Sequence, residues 1–177
     1  INMEAFKGQV QAYADRHGID INTALEDFSD AYEANRVTDL YNKLDKTKAE
    51  LTRTQAKVDS LRRNRQRSKA EEKELSIKSE FLKKLQGDVA TYSEQLQGFS
   101  RQEAQQGMQQ FNANPEIQEG MKIWNTMRER TIQLLVDTGV KTEALAEKWL
   151  DNSAYVPFQR VMNEEEANDL MVSRKGI

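Results

Sequence analysis

Five cations in eight residues, Arg62, Arg63, Arg65, Arg67 and Lys69, are the side chains whose type and spacing point most directly to chemistry. That chemistry is ionic and not covalent. Guanidinium and ammonium groups so placed neutralise phosphates and release their counterions, or dock on an acidic protein or an anionic lipid surface. No aromatic residue is interleaved among them, so base stacking is not expected and any nucleic-acid contact is sequence-independent. The plainer alternative is a solvated turn between two helices.

Other candidates are thinner. His17 is the one histidine and precedes Gly18. A general base or metal ligand needs partners at ligand spacing, and none lies nearby, so His17 reads as stabilising a helix end or as exposed. Glu164, Glu165 and Glu166 follow Asn163 and fit a capped, acidic first helical turn better than a cation site. The chain has no cysteine, which excludes disulfides and thiolate metal sites. No Gly-rich phosphate loop, nucleophile elbow or paired-carboxylate arrangement occurs. The expectation is a segment without catalytic residue, cofactor, metal or small-molecule substrate. No apolar run approaches the ~20 residues that span a bilayer, so no transmembrane segment is expected.

The elements that must position the cations are helical. In 177 residues, 37% are hydrophobic and 31% charged, with two prolines and eight glycines, a composition typical of long or coiled helices. Such a chain suits a small core plus an extended arm. From Lys43 to Lys84, fourteen basic residues face seven acidic ones, while the net charge of the whole is -3. Charge asymmetry of this kind marks an interaction surface, or simply long solvated helices.

Val37, Leu44, Leu51 and Val58 recur every seven residues, with Leu40, Thr47, Thr54 and Leu61 three residues after each. Leu75, Leu82, Val89 and Leu96 repeat the spacing, with Leu85, Tyr92 and Phe99 three after the last three. Both stripes are the narrow seam of a coiled coil. Between them, Arg62 to Lys69 holds no apolar residue, and Ser68-Lys69-Ala70-Glu71 forms a capping-box sequence. The fold class that follows is all-α, a helical base with a long antiparallel helical-hairpin arm. In its register Leu51 meets Leu85, Leu44 meets Tyr92, Val37 meets Phe99 and Leu61 meets Leu75, with Val58 against Lys78 the poorest layer. An arm of about 24 residues a side is roughly 36 Å long.

Residues 1–36 hold the opening helices of the base. One runs from about Met3 to Arg16 and ends with Gly18 in a left-handed conformation; the next is opened by Thr23 and Glu26 as a capping box. Residues 37–99 form the arm with its basic tip near 62–69. Residues 100–113 are a Gln-rich connection, a weak helix or a flexible stretch. Residues 114–177 complete the base: Asn114-Pro115 restarts a helix whose stripe is Ile117, Met121, Trp124, Met127, Leu134 and Leu135. Thr142 caps a short helix bearing Trp149, and an extended 152–162 segment follows. The absence of an initiator methionine suggests a piece of a longer polypeptide.

One order of elements carries a resemblance. A helix ending in Leu134-Leu135-Val136-Asp137-Thr138-Gly139 is followed by a helix bearing Glu147-Lys148-Trp149, then by Tyr155-Val156-Pro157-Phe158-Gln159-Arg160. Upstream, Ala24-Leu25-Glu26-Asp27-Phe28 to Asn35-Arg36 is a weaker echo of the helix that precedes this module. The pattern, over roughly residues 20–36 and 114–160, resembles a module of the large polyvalent proteins of bacteriophages, some of which are packaged in the virion and ejected with the DNA. The resemblance implies a structural, non-enzymatic docking segment, located in the capsid interior or tail channel and delivered into the host. Its implied partners are the portal, tail or other ejection proteins. Tyr155, Val156, Pro157, Phe158 and Arg160 are a candidate docking segment or a linker to a next domain; the plainer alternative is a Pro-bearing extended segment packed back on the Trp149 helix. The alternative function is a sequence-independent nucleic-acid-binding helical arm of a larger protein.

Overall fold

The computed structural model describes residues 3–139 and 142–144. The chain is all-α. Five helices are described, α1 Met3–His17, α2 Ile21–Arg63, α3 Lys69–Gln95, α4 Arg101–Ala113 and α5 Pro115–Asp137, and no strand occurs among the described residues. The described residues fall into two compact units, one within Ile1–Arg36 and Gln106–Ile177, the other Val37–Gln105. The Trp149 helix, the extended 152–162 segment and the acidic helix at Glu164–Glu166 lie outside the described residues.

In the first unit, α1 buries Phe6, Val10, Tyr13 and Ala14, the spacing of one helical face. It stops because Gly18 takes φ 65°. The Ile19 amide then donates back to the Ala14 carbonyl at 3.1 Å, closing a Schellman turn, while the Ile19 side chain packs on the core. The start of α2 departs from the expected Thr23–Glu26 box. Asp20 caps it: Oδ1 accepts from the Asn22 and Thr23 amides at 2.9 and 3.1 Å, and Oδ2 accepts from the Thr23 hydroxyl at 2.7 Å. An ionised carboxylate at the positive end of a helix out-competes a hydroxyl three residues later. The Thr23 hydroxyl bond, followed by these amides, holds the Asp20 carboxyl below its ordinary pKa.

The core of this unit is aromatic. Phe28 meets Phe6 and Tyr13 edge-on, with centroids 5.9 and 5.5 Å apart, and Phe6 lies 5.9 Å from Trp124. Alanines at 14, 24 and 31, at most 1% exposed, let the helices close around those rings. Two helical glycines serve the same end. A Cβ at Gly120 would come 2.7 Å from Phe28 Cε1, and one at Gly107 would overlap the Ala34 methyl. On α5, Ile117, Met121, Trp124 and Ile132 are buried, but Leu134 is 60% exposed. At 3.6 residues per turn Leu135, not Leu134, falls in line with Ile117, so Leu134 leaves the expected stripe.

In the second unit every expected seam position is buried or half-buried. Val37, Leu40, Leu44, Thr54, Val58 and Leu61 are buried on α2, as are Leu82 and Leu85 on α3 and Leu96 just beyond it. One cluster joins Val37, Leu40, Leu44 and Leu96 to Val89, Tyr92 and Phe99. Val58, expected in the poorest layer, is 0% exposed. Lys78 is half-buried; a lysine is tolerated at such a position because its stem can cover apolar surface while its ammonium stays in water. Thr47 satisfies its hydroxyl on the Lys43 carbonyl at 2.8 Å, which makes a polar seam position tolerable.

The Tyr41 hydroxyl donates to the Phe99 carbonyl at 2.6 Å, and Lys57 pairs with Glu74 at 3.3 Å. Residue numbers fall on one segment as they rise on the other. The Gln-rich stretch is a helix, α4, and it too has a capping box: Ser100 Oγ accepts from the Glu103 amide at 3.1 Å, and Glu103 Oε2 accepts from the Ser100 amide at 3.3 Å. At its start Arg101 reaches Asp45 at 2.6 Å and lies 4.3 Å over the Tyr41 ring.

Candidate functional site, the cationic turn

Helix α2 ends on Arg62-Arg63, and α3 begins at Lys69. A helix C-terminus leaves four carbonyls without intrahelical partners and carries a partial negative charge. Arg67 resolves this locally. Its Nη1 donates to the carbonyls of Leu61, Arg62 and Asn64 at 3.0, 3.2 and 2.9 Å. Residue 67 is half-buried as a result, and its Nε is buried without a hydrogen-bond partner.

Asn64 fixes the turn from its other side. Its Oδ1 accepts from the Gln66 amide at 3.0 Å, and its Nδ2 donates to Glu71 Oε1 at 3.2 Å. Glu71 completes the Ser68 capping box: Oε2 accepts from the Ser68 amide at 2.8 Å, and Ser68 Oγ accepts from the Glu71 amide at 3.2 Å. Those bonds, the Ser68 amide first, hold the Glu71 carboxyl below its ordinary pKa.

The five cations therefore divide. Arg67 is a structural cap. Arg62, Arg63, Arg65 and Lys69 are exposed, and none makes an ion pair among the described residues. Of the two carboxylates in the first turn of α3, Glu71 is occupied by the Ser68 and Asn64 groups and Glu72 is exposed. The sequence groups all five cations as one candidate polyanion contact; the structure adds that the Arg67 guanidinium donates to the carbonyls at the end of α2. The signal for it, a cation four residues past a helix end, was present.

His17 sits at the end of α1, exposed, its ring 4.3 Å from that of Tyr13 and its Nε2 3.2 Å from Asn114 Oδ1. Asn114 precedes Pro115 at the N-cap position of α5, yet its side chain makes no cap bond. It is buried instead: Oδ1 accepts from Arg16 Nη2 at 2.7 Å, and Nδ2 donates to the Gln110 carbonyl at 2.7 Å. Arg16 also pairs with Glu116 at 2.7 Å. These groups clasp three helix ends and assemble no reactive centre. Among the described residues no group of three or more His, Asp or Glu side chains is placed to hold a metal ion. No helix there is long and apolar enough to cross a membrane. The candidate docking residues Tyr155, Val156, Pro157, Phe158 and Arg160 lie outside the described residues. No family model, curated protein or solved structure matches the chain.

Proposed function

We propose that this chain is a structural docking segment of a large phage virion protein, carried in the particle and ejected into the host during genome delivery. In this reading residues 37–99 form an antiparallel coiled-coil hairpin arm and the first unit is its helical base. The segment performs no catalysis of its own. It holds its parent protein against neighbouring virion proteins: the portal, the tail or another ejection protein.

The observation that carries the reading is how the second unit uses its length. Residues 37–63 of α2 and the 27 residues of α3 each extend about 40 Å at 1.5 Å per residue. Along both, the side chains at seam spacing are buried or half-buried. A long pair of helices whose seam side chains are covered along their length is a stiff spacer, suited to reaching and bridging. The helix–helix–Tyr155-Val156-Pro157 resemblance supplies the virion setting.

Mass spectrometry of purified particles encoding the parent reading frame tests this directly. Peptides from both units should be found in full particles and be depleted from particles that have released their genome. Their absence from full particles would refute the reading.

A further inference from the structure

We infer that the α2–α3 turn is a binding site for the phosphate backbone of duplex nucleic acid, formed by Arg62, Arg63, Arg65 and Lys69 with Arg67 as its internal support. This goes beyond the docking role and does not depend on it.

Three features of the turn converge. First, its four exposed cations have no carboxylate partner among the described residues, so nothing in that part of the chain must be displaced before an anion binds. Second, two groups at the turn that would repel a polyanion are engaged: the Glu71 carboxylate by the Ser68 amide and Asn64, and the negative end of α2 by Arg67. Arg67 places its guanidinium on the Leu61, Arg62 and Asn64 carbonyls, so the end of the helix presents positive charge. Third, the turn is held in shape by the Asn64–Gln66 and Ser68–Glu71 bonds, so its cations are displayed from an ordered backbone.

The residue types narrow the anion. Three of the four exposed cations are arginines, whose planar fork matches phosphate oxygens in pairs. Between Leu61 and Leu75 the largest apolar side chain is Ala70. A bilayer surface would thus gain no inserted apolar anchor, which interfacial binding requires for strength. No aromatic ring is present to stack an unpaired base, the main source of affinity for single strands. What remains is the charge density of a duplex backbone, recognised without regard to sequence.

Binding of the full chain to two short duplexes of unrelated sequence, followed by fluorescence anisotropy across a salt series, tests the inference. Four phosphate contacts correspond to a slope of log affinity against log salt of about -3.6, and to roughly a hundredfold loss between about 50 and 200 mM salt. The two duplexes should bind alike. The quadruple variant R62Q/R63Q/R65Q/K69Q, which touches no hydrogen-bonded side chain, should keep its helicity and lose binding and slope together. The charge-matched control K46Q/K48Q/K83Q/K84Q should retain most of both.

Equal losses in the two variants would overturn the site in favour of diffuse attraction. So would undiminished binding by R62Q/R63Q/R65Q/K69Q, or no binding of the parent chain at the lowest salt. Tighter capture by phosphatidylserine vesicles or by polyglutamate than by duplex would also overturn it, assigning the turn to a lipid surface or an acidic protein.

Discussion

Replacing Gly107 with alanine sets two effects of opposite sign against each other. In a helix interior alanine is favoured over glycine by about 1 kcal/mol, so propensity alone makes the substitution stabilising. The added methyl, however, overlaps that of Ala34 and lies 3.7 Å from both the Ala34 Cα and the Asp30 carbonyl oxygen. An alanine methyl has no rotamer by which to move aside, so relief requires the backbones of α2 and α4 to separate by about 1 Å or more to restore ordinary contact. Overpacking of this kind costs about 1–3 kcal/mol, and at this degree of overlap we take the upper half of that range. The net expectation is a loss of about 1–2 kcal/mol. Gly87 is the control: it lies inside α3 and nothing lies within 4 Å of its added Cβ, so Gly87→Ala should gain up to about 1 kcal/mol. Urea unfolding followed by circular dichroism measures both. The double variant Ala34→Gly/Gly107→Ala moves the methyl from one helix to the other and should recover at least about 1 kcal/mol relative to additivity. If Gly107→Ala stabilises as Gly87→Ala does, or if the double variant is additive, the close approach is wrong.

Three further outcomes are expected. Cysteines at positions 51 and 85 should crosslink within one chain under mild oxidation if Leu51 and Leu85 share a layer; exclusively intermolecular products would mean that the stripes dimerise. Arg67→Gln should cost about 1 kcal/mol, the lower range for hydrogen bonds from a charged donor reduced for partial exposure, and should speed amide exchange at the end of α2, whereas Arg65→Gln should do neither. The carboxyls of Glu71 and Asp45 are held below their ordinary pKa, by the Ser68 amide and by the Arg101 guanidinium respectively. Depressed acids contribute stability that is present above the unfolded-state pKa near 4 and lost as pH falls through the folded-state value, so amide protection in the first turn of α3 should hold at neutral pH and fade in acid. Protection that increases on acidification would contradict these bonds.

The patterns legible in the sequence were those written in a few neighbouring residues. The seven-residue repeats, the Gly18 stop and the Ser68–Glu71 box each depend on spacing alone, and each appears where spacing places it. The Ser100–Glu103 box carried the same signal, but the glutamines after it obscured the helix it opens. Choices between competing partners were harder to read. Asp20 and Thr23 are both good caps, and the carboxylate of Asp20 takes the Asn22 and Thr23 amides before the Thr23 hydroxyl can cap a later start. Asn114 has the residue type and position of a cap, yet Arg16, from far along the chain, claims its oxygen. Gly107 and Gly120 read as helix weaknesses until the side chains across from them, Ala34 and Phe28, are known. The cationic turn was found as a set of charges; that Arg67 faces inward follows from which carbonyls α2 leaves open.

The arrangement of the turn also bears on how the second unit forms. The Asn64–Glu71 contact joins groups seven residues apart, whereas Tyr41 and Phe99 are separated by 58. Loop-closure entropy makes the distant contact about 2 kcal/mol harder to form first. Zippering from the turn avoids that barrier, since each closed layer shortens the loop that the next must close. Folding that starts at the turn is the expected outcome, and stopped-flow measurements check it: substitutions at Asn64, Arg67 or Ser68 should slow folding, while those near Tyr41 and Phe99 should hasten unfolding. A chain pulled out straight through a narrow passage would carry the instructions for its own re-pairing in a stretch of eight residues.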